Sequence, residues 1–159
     1  MNGAIMVSHI PNTPSADTAC GATASPTQPP TAAQVVTRLA QRVPDASPGV
    51  VYAADTDPNH IMGRPGGYLS KASFTDKRIT AEKPANVKEG SVALGGSVEV
   101  FADSRAAHQR KNYIQALARR LTEVAEYDYV EGPVLVRVAK TLAVAQAGEY
   151  DKALREIAF

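Results

Sequence analysis

The sequence predicts an α+β domain: a small, mainly antiparallel sheet with helices packed on one face, preceded by a disordered N-terminal tail. Three observations carry this. Residues 96–102 (GSVEVFA) alternate apolar and polar side chains, as a strand does. Residues 103–124 instead repeat their apolar side chains at helical spacing. Along the chain the order runs helix, strand, loop, strand, helix, strand or hairpin, helix, which suits helices layered on a sheet.

Residues 1–30 are rich in Ser, Thr, Pro, Ala and Gly and carry no repeating apolar face. Such a stretch cannot bury enough surface to offset roughly 1–2 kcal/mol of backbone entropy per residue, so it is expected to be a disordered tail. Residues 31–159 are then one α+β domain. Val35, Val36 and Leu39 sit at helical spacing in 31–42, with Thr31 as cap and Pro44 as stop. Residues 49–54 form a short β-prone run. A loop follows over 55–68, marked by Asp-Pro, Arg-Pro and Gly-Gly pairs. Residues 68–74 read as a second strand and 76–90 as a charged surface connection. The strand region 91–102 contains Gly95-Gly96, expected as a bulge, kink or turn.

In the central helix, Ala107, Ile114, Leu117, Ala118, Leu121 and Val124 share one face. Arg105, His108, Lys111, Arg119 and Arg120 lie mostly on the other, and Asp103 or Ser104 can cap its first amides. Residues 127–138 are extended, with Glu131-Gly132-Pro133 as a turn between two strands. Val134, Val136 and Val138 alternate with Leu135 and Arg137. Thr141 is the expected cap of a last helix whose inward stripe is Ala143, Ala147, Tyr150, Leu154 and Ile157.

Composition narrows the function classes. A formal net charge of +1 supplies no strong overall field toward nucleic acid or anionic membrane. No apolar run reaches the 18 or so residues of a spanning helix. Tryptophan is absent, so the core must be largely aliphatic. The single cysteine, Cys20, excludes a disulfide within the chain.

The 55–68 loop is the candidate ligand-binding site. It holds Asp55, Asp57, Asn59, His60, Arg64 and Tyr68. Two carboxylates, an amide oxygen and a histidine can bind a divalent cation, and Asp55, Asp57 and Asn59 echo the opening of a calcium loop. The match fails further on: Pro58 intrudes, the sixth position lacks glycine, and the twelfth is Gly66 instead of glutamate. Arg64 beside Gly66-Gly67 could instead hold an anion. The same side chains also serve a structured loop that caps its own turns. No catalytic residue, metal set or cofactor is assigned, because no nucleophile-elbow, Walker or His-Glu-x-x-His motif occurs. A metal- or His-assisted hydrolase built on His60, Asp55 and Asp57 is one alternative. A nucleic-acid or phage accessory protein working through the basic helix 103–124 is another.

The stretches Asp57-Pro58-Asn59-His60, Gly63-Arg64-Pro65-Gly66-Gly67-Tyr68, Gly96-Ser97-Val98-Glu99-Val100-Phe101 and Glu126-Tyr127-Asp128-Tyr129-Val130 resemble a group of uncharacterised actinobacterial exported proteins, many of them lipoproteins. The resemblance covers about residues 50–159. It implies a cell-envelope or secreted location and no established activity. Cys20, followed by Gly-Ala-Thr-Ala-Ser-Pro-Thr, resembles the lipid-carrying start of a mature lipoprotein, with a possible lipid anchor at Cys20. Asp17 departs from the aliphatic residue of that motif, and residues 1–19 lack the apolar run of a signal peptide, which points to the cytoplasm if the given start is the true one. The expectation is a non-enzymatic, envelope-associated binding or interaction domain, whose partner is an unknown protein or small ligand.

Overall fold

A computed structural model describes residues 28–80 and 86–157. Most of the expected tail, with Cys20, lies outside the described residues. Helix α1 (Ala32–Arg42) starts at Thr31, whose side chain accepts from the Gln34 amide while Gln34 caps Thr31 in return. Strands β1 (Ala46–Tyr52), β2 (Ser70–Asp76) and β3 (Gly95–Val100) follow, then α2 (Ser104–Ala118), capped by Asp103. The chain closes with β4 (Glu126–Glu131), β5 (Val134–Ala139) and α3 (Val144–Arg155). The five strands form one antiparallel sheet in the order β1-β2-β3-β5-β4, so the α+β class holds.

Side-chain alternation divides the molecule into layers. Ala72, Phe74, Val98, Val100, Val134, Val136 and Val138 face α1 and α3. Val35, Val36 and Leu39 of α1, with Ala147, Tyr150, Ala153 and Leu154 of α3, complete that core. Helix α2 lies on the opposite face, where Ala107 and Ile114 meet Leu135, Phe101 and Tyr68. The one-face arrangement therefore describes α1 and α3, and α2 supplies a second layer. A carboxylate bolts α3 down: buried Asp76 receives Tyr150 Oη at 2.6 Å and a forked Arg78 guanidinium at 2.8 and 3.0 Å. Arg78 reaches on to Glu149 at 2.7 Å.

Several boundaries differ from the sequence reading. The central helix ends at Ala118, and a single 3-10 turn at Thr122–Val124 replaces its expected last turn. The first strand begins at Ala46, before Pro48, with its bulge between Pro48 and Val51. Ala143, not Thr141, precedes α3, and Gln146 reaches back to its amide at 2.9 Å. The β4–β5 hairpin is as expected, with Gly132 at φ 51° in the turn.

Gly95-Gly96 makes no bulge, although Gly95 closes the 3-10 turn Val92–Leu94 by donating its amide to the Val92 carbonyl, as the expected turn before the strand. Both residues pair in unbroken register with Thr75 and Phe74 of β2. A β-carbon at Gly96 would stand 2.2 Å from the Phe74 ring and 2.3 Å from the Arg137 carbonyl. Phe74 cannot retreat, because it stacks on Tyr150 at 4.9 Å between centroids. We therefore expect Gly96→Ala to destabilise the domain by about 2–4 kcal/mol. Gly148→Ala, in α3 with nothing within 4 Å of the added carbon, should be neutral or stabilising by up to about 1 kcal/mol. Urea midpoints of the two variants check this pair.

Candidate functional site: a buried charge network and the cleft above it

The sheet face beneath α2 is polar where an aliphatic face would be usual. Lys71 of β2 and Glu99 of β3 are register partners, and Arg137 of β5 pairs with Ser97 one step along. Their side chains point the same way by strand parity. Glu99 is fully buried, at 0% exposure. Its Oε1 accepts from Lys71 Nζ at 3.1 Å and Arg137 Nη1 at 3.0 Å, and its Oε2 accepts from Arg110 Nε of α2 at 3.0 Å. Burial alone would raise this carboxyl; Arg137, Lys71 and Arg110 outweigh it and hold it below the ordinary glutamate range. Burial, helped by the like charge of Arg137, pulls the Lys71 ammonium below its usual value against the attraction of Glu99. Glu126 of β4 extends the network by gripping Arg137 at 2.6 and 3.1 Å.

The 55–68 loop closes one end of this network. Asp57 is buried and caps the loop's own turns, accepting from the amides of Asn59, Ile61 and Met62 at 3.2, 2.9 and 3.1 Å. The Tyr68 hydroxyl also donates to it. Burial would raise Asp57, but these donors, Tyr68 first among them, bring it below the ordinary aspartate range. Burial and the bond to Asp57 push the Tyr68 phenol far upward, so it stays a donor. With its amino group toward Tyr68, Asn59 would make one bond at 3.0 Å. Turned over, its oxygen accepts from Lys71 Nζ at 3.0 Å and Arg110 Nη2 at 3.2 Å, and two cations decide for that orientation.

Asp57, Asn59 and Tyr68 thus converge, as building parts of the network. Asp55, His60 and Arg64 remain on the exposed outside of the loop, His60 at φ 53°. Among the described residues no three His, Cys, Asp or Glu side chains gather as a metal site. The Asp57 oxygens are taken by four donors, so this carboxylate is occupied in holding the loop. Lys71, Glu99, Arg110, Glu126 and Arg137 are absent from the sequence-based site. The signal available was parity: Glu99 and Arg137 fall on strand faces that the sequence already separates from the valine face.

Above the network runs an open cleft of about 570 Å³ between the loop and α2, walled by Ile61, Tyr113, Ile114 and Leu117 and floored by Arg110 and Arg137. Tyr113 is 61% exposed, Leu117 38%, Leu121 47% and Val124 40%. Of the apolar face expected along the whole helix, only Ala107 and Ile114 are fully buried, and Ala118 is half-buried. A second hollow of about 450 Å³ lies beyond Val124, over Lys71, Glu126 and Arg137. Comparison of the chain with protein-family models, curated proteins and solved structures returns no match.

Asp128 of β4 faces the same side, 6% exposed, and neither of its carboxyl oxygens meets a donor. Its neighbours are Glu126 on its own strand, Arg137 on β5 and Lys111 on α2. Two carboxylates cannot bond each other unless one carries a proton, and a proton on Asp128 supplies that bond. Burial first, then the Glu126 charge, raises Asp128 to about 7. Unfolded, the group loses its proton near pH 4, so between about pH 4 and 7 only the folded chain holds it. Stability should therefore fall as pH rises through that window and stay low above it. Asp128→Asn should flatten this slope and add on the order of 1–3 kcal/mol above pH 7, read from urea unfolding at several pH values.

Proposed function

We propose that this protein is a non-enzymatic binding module whose ligand lies in the cleft between α2 and the 59–66 segment. One observation carries the reading: Tyr113, Leu117 and Val124 stand uncovered around a concave site whose polar floor is already internally paired. Apolar walls over a few fixed polar groups are the usual make-up of a ligand site. The floor supports binding over catalysis. Its acids and bases are bonded to each other, so none is left as a nucleophile with a base in reach. Association with the cell envelope is part of this proposal. It rests on the resemblance and on Cys20, and fractionation of the native gene product with a palmitate label tests it.

The cleft itself is tested by nuclear magnetic resonance with a mixed library of small molecules and short peptides. Shifts should concentrate on Ile61, Tyr113, Leu117 and Val124. Tyr113→Ala with Leu117→Ser should remove them while costing no more than about 2 kcal/mol, since Tyr113 is mostly and Leu117 partly open to solvent. Shifts scattered over the surface, or turnover of any library member, would contradict the reading.

A further inference from the structure

Among the groups exposed on α2, one asymmetry goes further than the cleft. From Ser104 to Thr122 the chain carries Arg105, Arg110, Lys111, Arg119 and Arg120 and not one Asp or Glu. Arg110 is spent on Glu99, and Lys111 acts electrostatically on Asp128. Arg105, Arg119 and Arg120 are exposed and enter no ion pair among the described residues. Arg119 and Arg120 also line a hollow beside Tyr113, Ala116 and Leu117, so the free guanidinium groups border the uncovered apolar surface. Tyr113, Leu117 and Leu121 recur every four residues, and the Leu121 amide still bonds the Leu117 carbonyl at 3.0 Å. Tyr113 and Leu117 therefore form a ridge along one side of the helix, and exposed Leu121 follows just past its end.

We infer that this surface docks an acidic amphipathic helix of another protein, its apolar stripe along Tyr113, Leu117 and Leu121 and its carboxylates on Arg119, Arg120 and Arg105. The inference rests on the binding-module reading and names its partner. A rod with apolar side chains at three- and four-residue intervals matches a helical ridge beside a cleft. Charge decides which rod. A second copy laid antiparallel on α2 would bring Arg105 of one chain toward Arg119 and Arg120 of the other, and like charges at that range repel. Nucleic acid would use the guanidinium groups but leave the apolar ridge without a counterpart, and the net charge of +1 gives it little general attraction. A flat anionic bilayer cannot follow the cleft wall. Carboxylates on a helix satisfy both halves of the surface at once.

The test uses the whole chain and synthetic helical peptides of about 18 residues, long enough to run the length of α2. One carries a leucine stripe flanked by glutamates, a second the same stripe flanked by lysines, and a third the stripe flanked by serines. The glutamate peptide should bind, weaken as salt rises, and weaken at least about tenfold with Arg119→Glu plus Arg120→Glu. Leu117→Ser should weaken it by a similar factor, about tenfold, without loss of the folded signal. Reversing the flank to glutamate in the protein should let the lysine peptide bind, an outcome that misfolding could not produce. Equal binding of all three peptides would overturn the acidic partner while leaving the binding module intact. So would binding of duplex DNA or phosphatidylglycerol vesicles in place of the glutamate peptide, or self-association that Leu117→Ser abolishes. No cleft shift with any peptide or library member would overturn both readings.

Discussion

Glu99 is a carboxylate with no contact with water, and three cations from three different elements meet on it. Lys71 comes from β2, Arg137 from β5 and Arg110 from α2. Taking such charges out of water costs several kcal/mol per ion, and only close geometry with every lone pair filled offsets that. The geometry here is close: each oxygen of Glu99 is bonded, and the surplus positive charge is met by Glu126 and the Asn59 oxygen. An aliphatic residue in each place could pack as stably, so the network's contribution is to geometry more than to net stability. Charges can be satisfied in one arrangement of α2 and the loop, whereas valine and leucine would accept several.

That constraint explains the shape of the second layer. The first layer, under α1 and α3, is held by a continuous aliphatic core with Phe74 stacked on Tyr150. Under α2 the apolar contact is small: on the helix Ala107 and Ile114 are buried and Ala106 packs beside them half-buried. Arg110 therefore does much of the work of setting α2 on the sheet. A helix located by a polar bolt near its middle need not bury its full apolar stripe. Tyr113, Leu117 and, past the helix end, Val124 face the cleft instead. Asp128 adds an electrostatic weak point to the same layer, a buried acid whose neighbour on its own strand is another acid. Inward-pointing charge on β4, an edge strand, also discourages other strands from pairing there.

Local chemistry was legible in the sequence. Thr31 marks the start of α1, and Gly132 marks the β4–β5 turn, because each acts within a few residues. The stripe of α3 through Ala147, Tyr150 and Leu154 follows from spacing alone. What depended on distant partners was not legible. Gly96 reads as a break, yet its small size answers a phenylalanine more than twenty positions away. Helix α2 reads as running to Val124, because leucines continue the period past the point where the Arg119-Arg120 turn ends it. The site was half visible: Asp57, Asn59 and Tyr68 lie in the loop that sequence singled out, but their partners are set by register. Only the pairing of β2, β3 and β5 reveals that Lys71, Glu99 and Arg137 share one patch.

The central claim is that Glu99 sets α2 and the 57–68 loop on the sheet while the α1–α3 layer stands without it. Hydrogen exchange of Glu99→Gln under native conditions tests this most directly. The account predicts that amides of α2 and of the loop lose protection by about 3 kcal/mol or more, while those of α1, α3, β2 and β3 keep most of theirs. Equal loss of protection across both layers, or none in α2, would contradict it.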